Sequence, residues 1–121
     1  MGSMHKTEHQ HAPLHGFLSI LRTLQEIDKD FPLHYALCLG EIAASPGLSL
    51  TDLSKRTGLN LSTISRIVGA LSNYRPNGAP YQFVTMQVNA QERRRKELYL
   101  TQAGEAVIAR IDTYMRGIFQ A

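Results

Sequence analysis

Ser62, Thr63, Ser65 and Arg66 set three short hydroxyl side chains and one long cation within five positions of each other. Further along, Glu92-Arg93-Arg94-Arg95-Lys96 places four cations in a row behind one carboxylate. The first group can donate and accept hydrogen bonds at base edges in a major groove, with Arg66 suited to the two acceptors of guanine. The second can neutralise phosphates of a nucleic acid. Lys55 and Arg56 add two cations suited to weaker contacts with a nucleic-acid backbone. Charge follows the same pattern. Residues 50–100 hold eight cations against three carboxylates, a net +5, whereas residues 1–49 carry −2 and residues 101–121 balance. A polyanionic partner on that middle segment is the economical explanation. A bare run of cations is usually a solvated loop, so the elements that hold it decide its meaning.

The hydroxyl group falls inside Leu48–Leu71, which reads as two short helices around a sharp turn. Ser49 with Asp52 three residues on has the spacing of a capping box. Leu50 and Leu53 give the first helix an apolar side, and Gly58 stops it because glycine takes a left-handed C′ conformation without a Cβ penalty. Asn60 caps the second helix. Leu61, Ile64, Ile67, Val68 and Leu71 form its apolar stripe, which leaves Ser62, Thr63, Ser65 and Arg66 off the stripe in its N-terminal half. A helix that shows such residues at its N-terminal half is built like one that reads a major groove.

The basic row sits between two strand-like segments. Tyr81–Val88 alternates, with Tyr81, Phe83, Thr85 and Gln87 on one side, and Glu97–Thr101 forms a second strand with Leu98 and Leu100 on one face. Two strands joined by a basic loop directly after a helix-turn-helix make a wing. Asn73–Pro80, dense in turn formers, connects them to the helices. Ahead of the motif, Phe17–Ile27 is amphipathic through Phe17, Leu18, Leu21, Leu24 and Ile27. Leu33–Ala44, opened by Pro32, is apolar enough to predict a central helix buried on more than one side. Thr101 caps a last helix whose apolar band runs through Val107, Ile111, Tyr114, Met115, Ile118 and Phe119. Apolar helices at both ends of so small a chain predict a homodimer. The fold class expected is therefore mainly α with a small β-hairpin: residues 1–14 a flexible leader, then one winged-helix domain over 15–121. Within it the helix-turn-helix covers 49–74, the wing 81–101 and the terminal helix 101–120. Met1-Gly2-Ser3 reads as a cloning remnant ahead of Met4.

Composition excludes several classes. The 43% hydrophobic and 19% charged residues of the 121 are those of a soluble globular protein, with no apolar run as long as a membrane span. The lone Cys38 forbids an internal disulfide and a cysteine-based zinc site, which fits a reducing cytoplasm, and its apolar neighbours make it a small core residue. His5, His9, His11 and His15 lack partnering ligands, so no metal and no cofactor is expected. No phosphate-cradling glycine loop, nucleophile elbow or carboxylate pair is present, which argues against an enzyme.

The run GLSLTDLSKRTGLNLSTISRIVGAL from Gly47, followed by ERRRKELYLTQAGEAV from Glu92, resembles the winged-helix core of the MarR family of bacterial transcription regulators. The likeness is most specific at Glu92-Arg-Arg-Arg and Leu98-Tyr-Leu-Thr-Gln-Ala-Gly104, and it covers roughly residues 33–108. It implies a dimer, a recognition helix in the major groove, and a wing-tip arginine in the minor groove. By position that arginine is Arg94, steadied by Glu92 where the family has Asp. It also implies a small-molecule effector of unknown identity between the dimerisation and DNA-binding parts. Two departures stand out: the connection Asn73–Pro80 is longer than the family's usual turn, and the family's last dimerisation helix is expected to be missing. The function expected is sequence-specific binding of double-stranded DNA by a homodimer at a pseudo-palindromic operator, regulating transcription. The alternative is a winged-helix protein-interaction module with only non-specific DNA affinity.

Overall fold

The computed structural model describes residues 12–75 and 78–120, so His5, His9 and His11 lie outside the described residues. Along the chain come helices α1 (Ala12–Ile27), α2 (Leu33–Ala44), α3 (Leu50–Thr57) and α4 (Leu61–Leu71). Strands β1 (Val84–Val88) and β2 (Lys96–Leu100) and helix α5 (Gln102–Gln120) follow. Helix α1 starts earlier than the apolar spacing from Phe17 predicts, because Pro13 fits a first turn whose N–H groups have no helical acceptor. No described helix is long and apolar enough to cross a membrane. Contacts gather the described residues into two compact units, one within Pro32–Ala106 and one made of residues 12–31 with residues 107–120.

In the larger unit α2, α3 and α4 pack on one another, and β2 packs on α2 and α3. Its core is Cys38, Leu39 and Ile42 from α2, Leu53 from α3, Ile64, Ile67, Val68 and Leu71 from α4, and Leu98 from β2, all at most 4% exposed. Each such side chain contributes about 1.5–3 kcal/mol by leaving water. Two expectations need correction. Helix α2 is buried on one side only, since Leu33 is 78% exposed and Leu37 42%. Leu61 does not join the stripe of α4 but stands 49% exposed at the first position of the helix.

The turns around α3 follow the local sequence. Ser49 Oγ accepts from Asp52 N while Asp52 Oδ2 accepts from Ser49 N, both at 3.1 Å, which closes the capping box. Gly58 adopts φ +75°, and Asn60 Oδ1 accepts from Thr63 N at 2.8 Å to start α4. At the far end of α4 the reading of a strand from Tyr81 fails. Gln82 takes φ +60°, which breaks the alternation and leaves Phe83 and Val84 both buried. Tyr81 N and Phe83 N donate instead to the carbonyls of Ala70 and Leu71, satisfying the last turn of α4. Pairing then runs antiparallel from Val84↔Leu100 to Val88↔Lys96. The second strand lies one residue earlier than expected, because Thr101 is committed to α5: its Oγ1 accepts from Gly104 N at 3.1 Å and donates to Gln82 O at 2.7 Å.

In the smaller unit Arg110 meets Glu26 at 2.6 Å. A Cβ on Gly16 would come within 2.6 Å of the Ile118 side chain, so glycine there allows α1 and α5 to approach closely. Apolar side chains remain uncovered on both helices, among them Phe17 at 51%, Leu18 and Leu21 at 38% each, and Phe119 at 82%.

Candidate nucleic-acid interface

Helix α4 divides cleanly. Ile64, Ile67, Val68 and Leu71 face the core, whereas Ser62, Ser65 and Arg66 are exposed. Thr63 is half-buried beside them, its backbone N–H taken by the Asn60 cap. The N-terminal half of α4 thus offers two free hydroxyls and a guanidinium to solvent, next to backbone N–H groups that carry partial positive charge.

The wing tip is built by Asn89, a residue the sequence reading passed over. Its Oδ1 accepts from Gln91 N at 2.8 Å and from Glu92 N at 2.9 Å. Its backbone N–H donates to Arg95 O at 2.9 Å and its Nδ2 to Glu97 Oε2 at 3.1 Å. The signal was present: an asparagine at the head of a polar loop forms an Asx turn. That turn exposes Arg93, Arg94 and Lys96. Arg94 and Lys96 border a cleft of about 170 Å³ whose other walls include Leu61 and Ser65 of α4. The structure therefore brings wing cations and the exposed face of α4 to one place.

Three basic or acidic residues differ from expectation. Among the described residues no ion pair joins Glu92 to Arg94; Glu92 serves the tip through its backbone, where its carbonyl accepts from Arg95 N at 2.9 Å. Arg95 carries the pairing instead, with Nη2 3.4 Å from Asp52 Oδ2 and Nε 3.5 Å from Glu97 Oε2. Arg56 is engaged as well, donating to Ser45 Oγ at 2.6 Å and lying 3.6 Å from Glu41, whereas Lys55 stands exposed. Hydrogen bonds from Ser49, with Arg95 and Lys55 adding attraction, hold the Asp52 carboxyl below its usual range. Cys38 is buried, and desolvation, with Glu41 nearby, pushes its thiol up to about 11; a reactive thiol needs the opposite shift.

A second cavity, about 650 Å³, opens between the start of α2 and α4, walled by Leu33, His34, Tyr35, Thr63, Arg66 and Arg75. Arg75 lies over the Tyr81 ring at 4.7 Å, and Tyr81 stacks on Phe83 at 5.9 Å. The long connection is thereby tied down where it meets α4.

Comparison with known proteins bears on this arrangement. Residues 18–75 match the family model described as the IclR helix-turn-helix domain, a span that includes α2, α3 and α4 and stops short of the wing. None of the curated proteins matches the chain. Solved structures match through the wing as well. A MepR variant from S. aureus, bound to an oligodeoxyribonucleotide, is 20% identical with a TM-score of 0.68 over 99% of this chain and 80% of its own. The PcaV transcriptional regulator of Streptomyces coelicolor, in complex with its natural ligand, is 23% identical with a TM-score of 0.60 over 98% and 74%. FabT of Streptococcus pneumoniae, in complex with DNA, is 13% identical with a TM-score of 0.67 over 97% and 79%. The family model thus points to IclR where the sequence motifs resemble MarR, and what the two share is the motif itself. Two helices closed by a capped turn, a core-packed second helix and a two-stranded basic hairpin make this chain a winged helix-turn-helix.

Proposed function

We propose that the chain is a transcription regulator of the MarR type that binds double-stranded DNA sequence-specifically as a homodimer on a pseudo-palindromic operator. The observation that carries this reading is the cleft that Ser65 of α4 shares with Arg94 and Lys96 of the wing, with Ser62 and Arg66 also exposed on α4. Helix α4 supplies base-edge contacts, and Arg66 is the guanine reader. Arg94 enters the minor groove, while Arg93 and Lys96 meet phosphate and Lys55 adds a weaker backbone contact. The IclR match and the DNA-bound structures of like fold support the same reading. The second copy is supported by the uncovered apolar faces of α1 and α5, since a C2 pair would present two recognition helices about one turn of DNA apart. The cytoplasm is the setting proposed.

The test is selection of bound sequences from a random duplex pool at about physiological salt, with Arg66→Ala and Arg94→Ala beside the wild type. A motif with two symmetric halves is expected. Arg66→Ala should weaken binding to it by roughly 1–3 kcal/mol and relax one position of each half. If the folded wild type enriches nothing, the winged helix is a protein-interaction module and its charge only general electrostatics.

A further inference from the structure

Arg95 is set apart from its cationic neighbours by two carboxylates. Asp52 lies 43 residues away in the chain and belongs to the capping box of α3; Glu97 lies in β2 and is itself fixed by Asn89 Nδ2 at 3.1 Å and by the Tyr99 hydroxyl at 3.3 Å. A continuous set of contacts, Asn89–Glu97–Arg95–Asp52–Ser49, therefore runs from the turn at the wing tip to the first turn of the helix preceding α4. Backbone pairing secures only the base of the wing. Gly47 N donates to Leu98 O at 2.8 Å and Leu98 N to Leu48 O at 3.0 Å. Ser49 forms an isolated bridge with Glu97. Beyond Glu97, toward the tip, the ion pair of Arg95 with Asp52 ties the wing back to α3. A half-exposed ion pair adds little to stability. Two carboxylates on separate elements nevertheless define where a planar guanidinium lies, because its donors are fixed relative to one another. Arg95, Arg93, Arg94 and Asp52 line one cleft of about 520 Å³ beside α3, so the latch borders the surface on which Arg94 acts.

We infer that Arg95 is a positioning residue rather than a DNA contact: through Asp52 and Glu97 it sets the wing tip in register with α4, so that Asp52 and Glu97 favour DNA binding despite their negative charge. The inference rests on the DNA-binding reading above. It makes a prediction of sign. A carboxylate beside a polyanion ordinarily weakens binding, and removing one that merely neutralises a phosphate-binding arginine tightens it. Removing one that aims the wing loosens it.

The experiment measures affinity for the duplex enriched by the wild type, across a salt series, with the full chain and its Asp52→Asn, Glu97→Gln, Arg95→Gln and Arg94→Gln variants. Glu97→Gln is included because it leaves the Ser49–Asp52 cap intact. The first three variants should each weaken binding about five- to twentyfold, with the wild-type dependence on salt, and Asp52→Asn with Arg95→Gln together should cost no more than either alone. Arg94→Gln should instead lower the steepness of log K against log salt by about 0.9, because a cation held in the minor groove displaces about one counterion as a phosphate contact does. Tighter binding by Asp52→Asn or Glu97→Gln, or a flattened salt dependence in Arg95→Gln, would overturn the inference and make Arg95 an ordinary phosphate contact. A wild type that prefers no duplex overturns the DNA-binding reading, and the latch with it.

Discussion

Asp52 occupies the third position of α3, where its carboxylate accepts the Ser49 N–H and lies against Arg95. Every one of these contacts favours the charged form, so its folded pKa lies below its unfolded value. The stabilisation is present above the unfolded value, about 3.9 for aspartate, and is lost as pH falls through the lower folded value. Thermal melts of wild type and Asp52→Asn should therefore differ most near neutrality, with the wild type melting higher. The gap should close below about pH 4; a gap constant down to pH 3 would contradict this account. Half of the site at this scale was open to sequence reasoning. Ser49–Asp52 and Asn60–Thr63 are neighbours along the chain, so spacing alone announces them. The Arg95–Asp52 pair joins positions 43 apart, and no local pattern tells which of four adjacent cations turns inward.

At the scale of elements, the join of wing and last helix depends on a glycine. A Cβ at Gly104 would stand 2.1 Å from the carbonyl oxygen of Phe83, where that same carbonyl accepts from Thr101 N at 2.9 Å. Backbone cannot give way as a flexible side chain does, so Gly104→Ala should cost about 3 kcal/mol or more. Gly40, exposed in α2 with nothing within 4 Å of an added Cβ, is the comparison: Gly40→Ala should stabilise by about 0.5–1 kcal/mol. Denaturant unfolding of both variants checks the pair. The Leu-Thr-x-x-Gly pattern was recognisable as a motif, but its cause was not, because the close approach involves Phe83 across the hairpin. Gln82 shows the same limit. Period-two alternation from Tyr81 looked like a strand, yet the hydrogen bonds demanded by the end of α4 and a left-handed residue took precedence. The helix-turn-helix was more legible because its caps, its glycine and its apolar spacing are all local.

For the whole molecule the question is what covers α1 and α5. Phe17, Leu21 and Phe119 are 51, 38 and 82% exposed, and this uncovered apolar surface on two helices of one unit is what supports the proposed dimer. Leu21→Glu with Phe119→Glu is expected to move the sedimentation coefficient from dimer to monomer with helix content unchanged. Affinity for a two-half site should fall far more than affinity for a single half, since the two contacts cease to be linked. Equal sedimentation of variant and wild type as monomers would remove these faces from the proposal.

Cys38 carries one more consequence. It is the chain's single cysteine, fully buried against the helices that hold α4 in place, with a thiol that stays protonated at neutral pH. An alkylating reagent attacks the thiolate, so it can act only in the moments when α2 parts from its neighbours. Its rate in the native protein therefore counts openings of the helix-turn-helix unit, and the protein carries its own clock for that event without any label added.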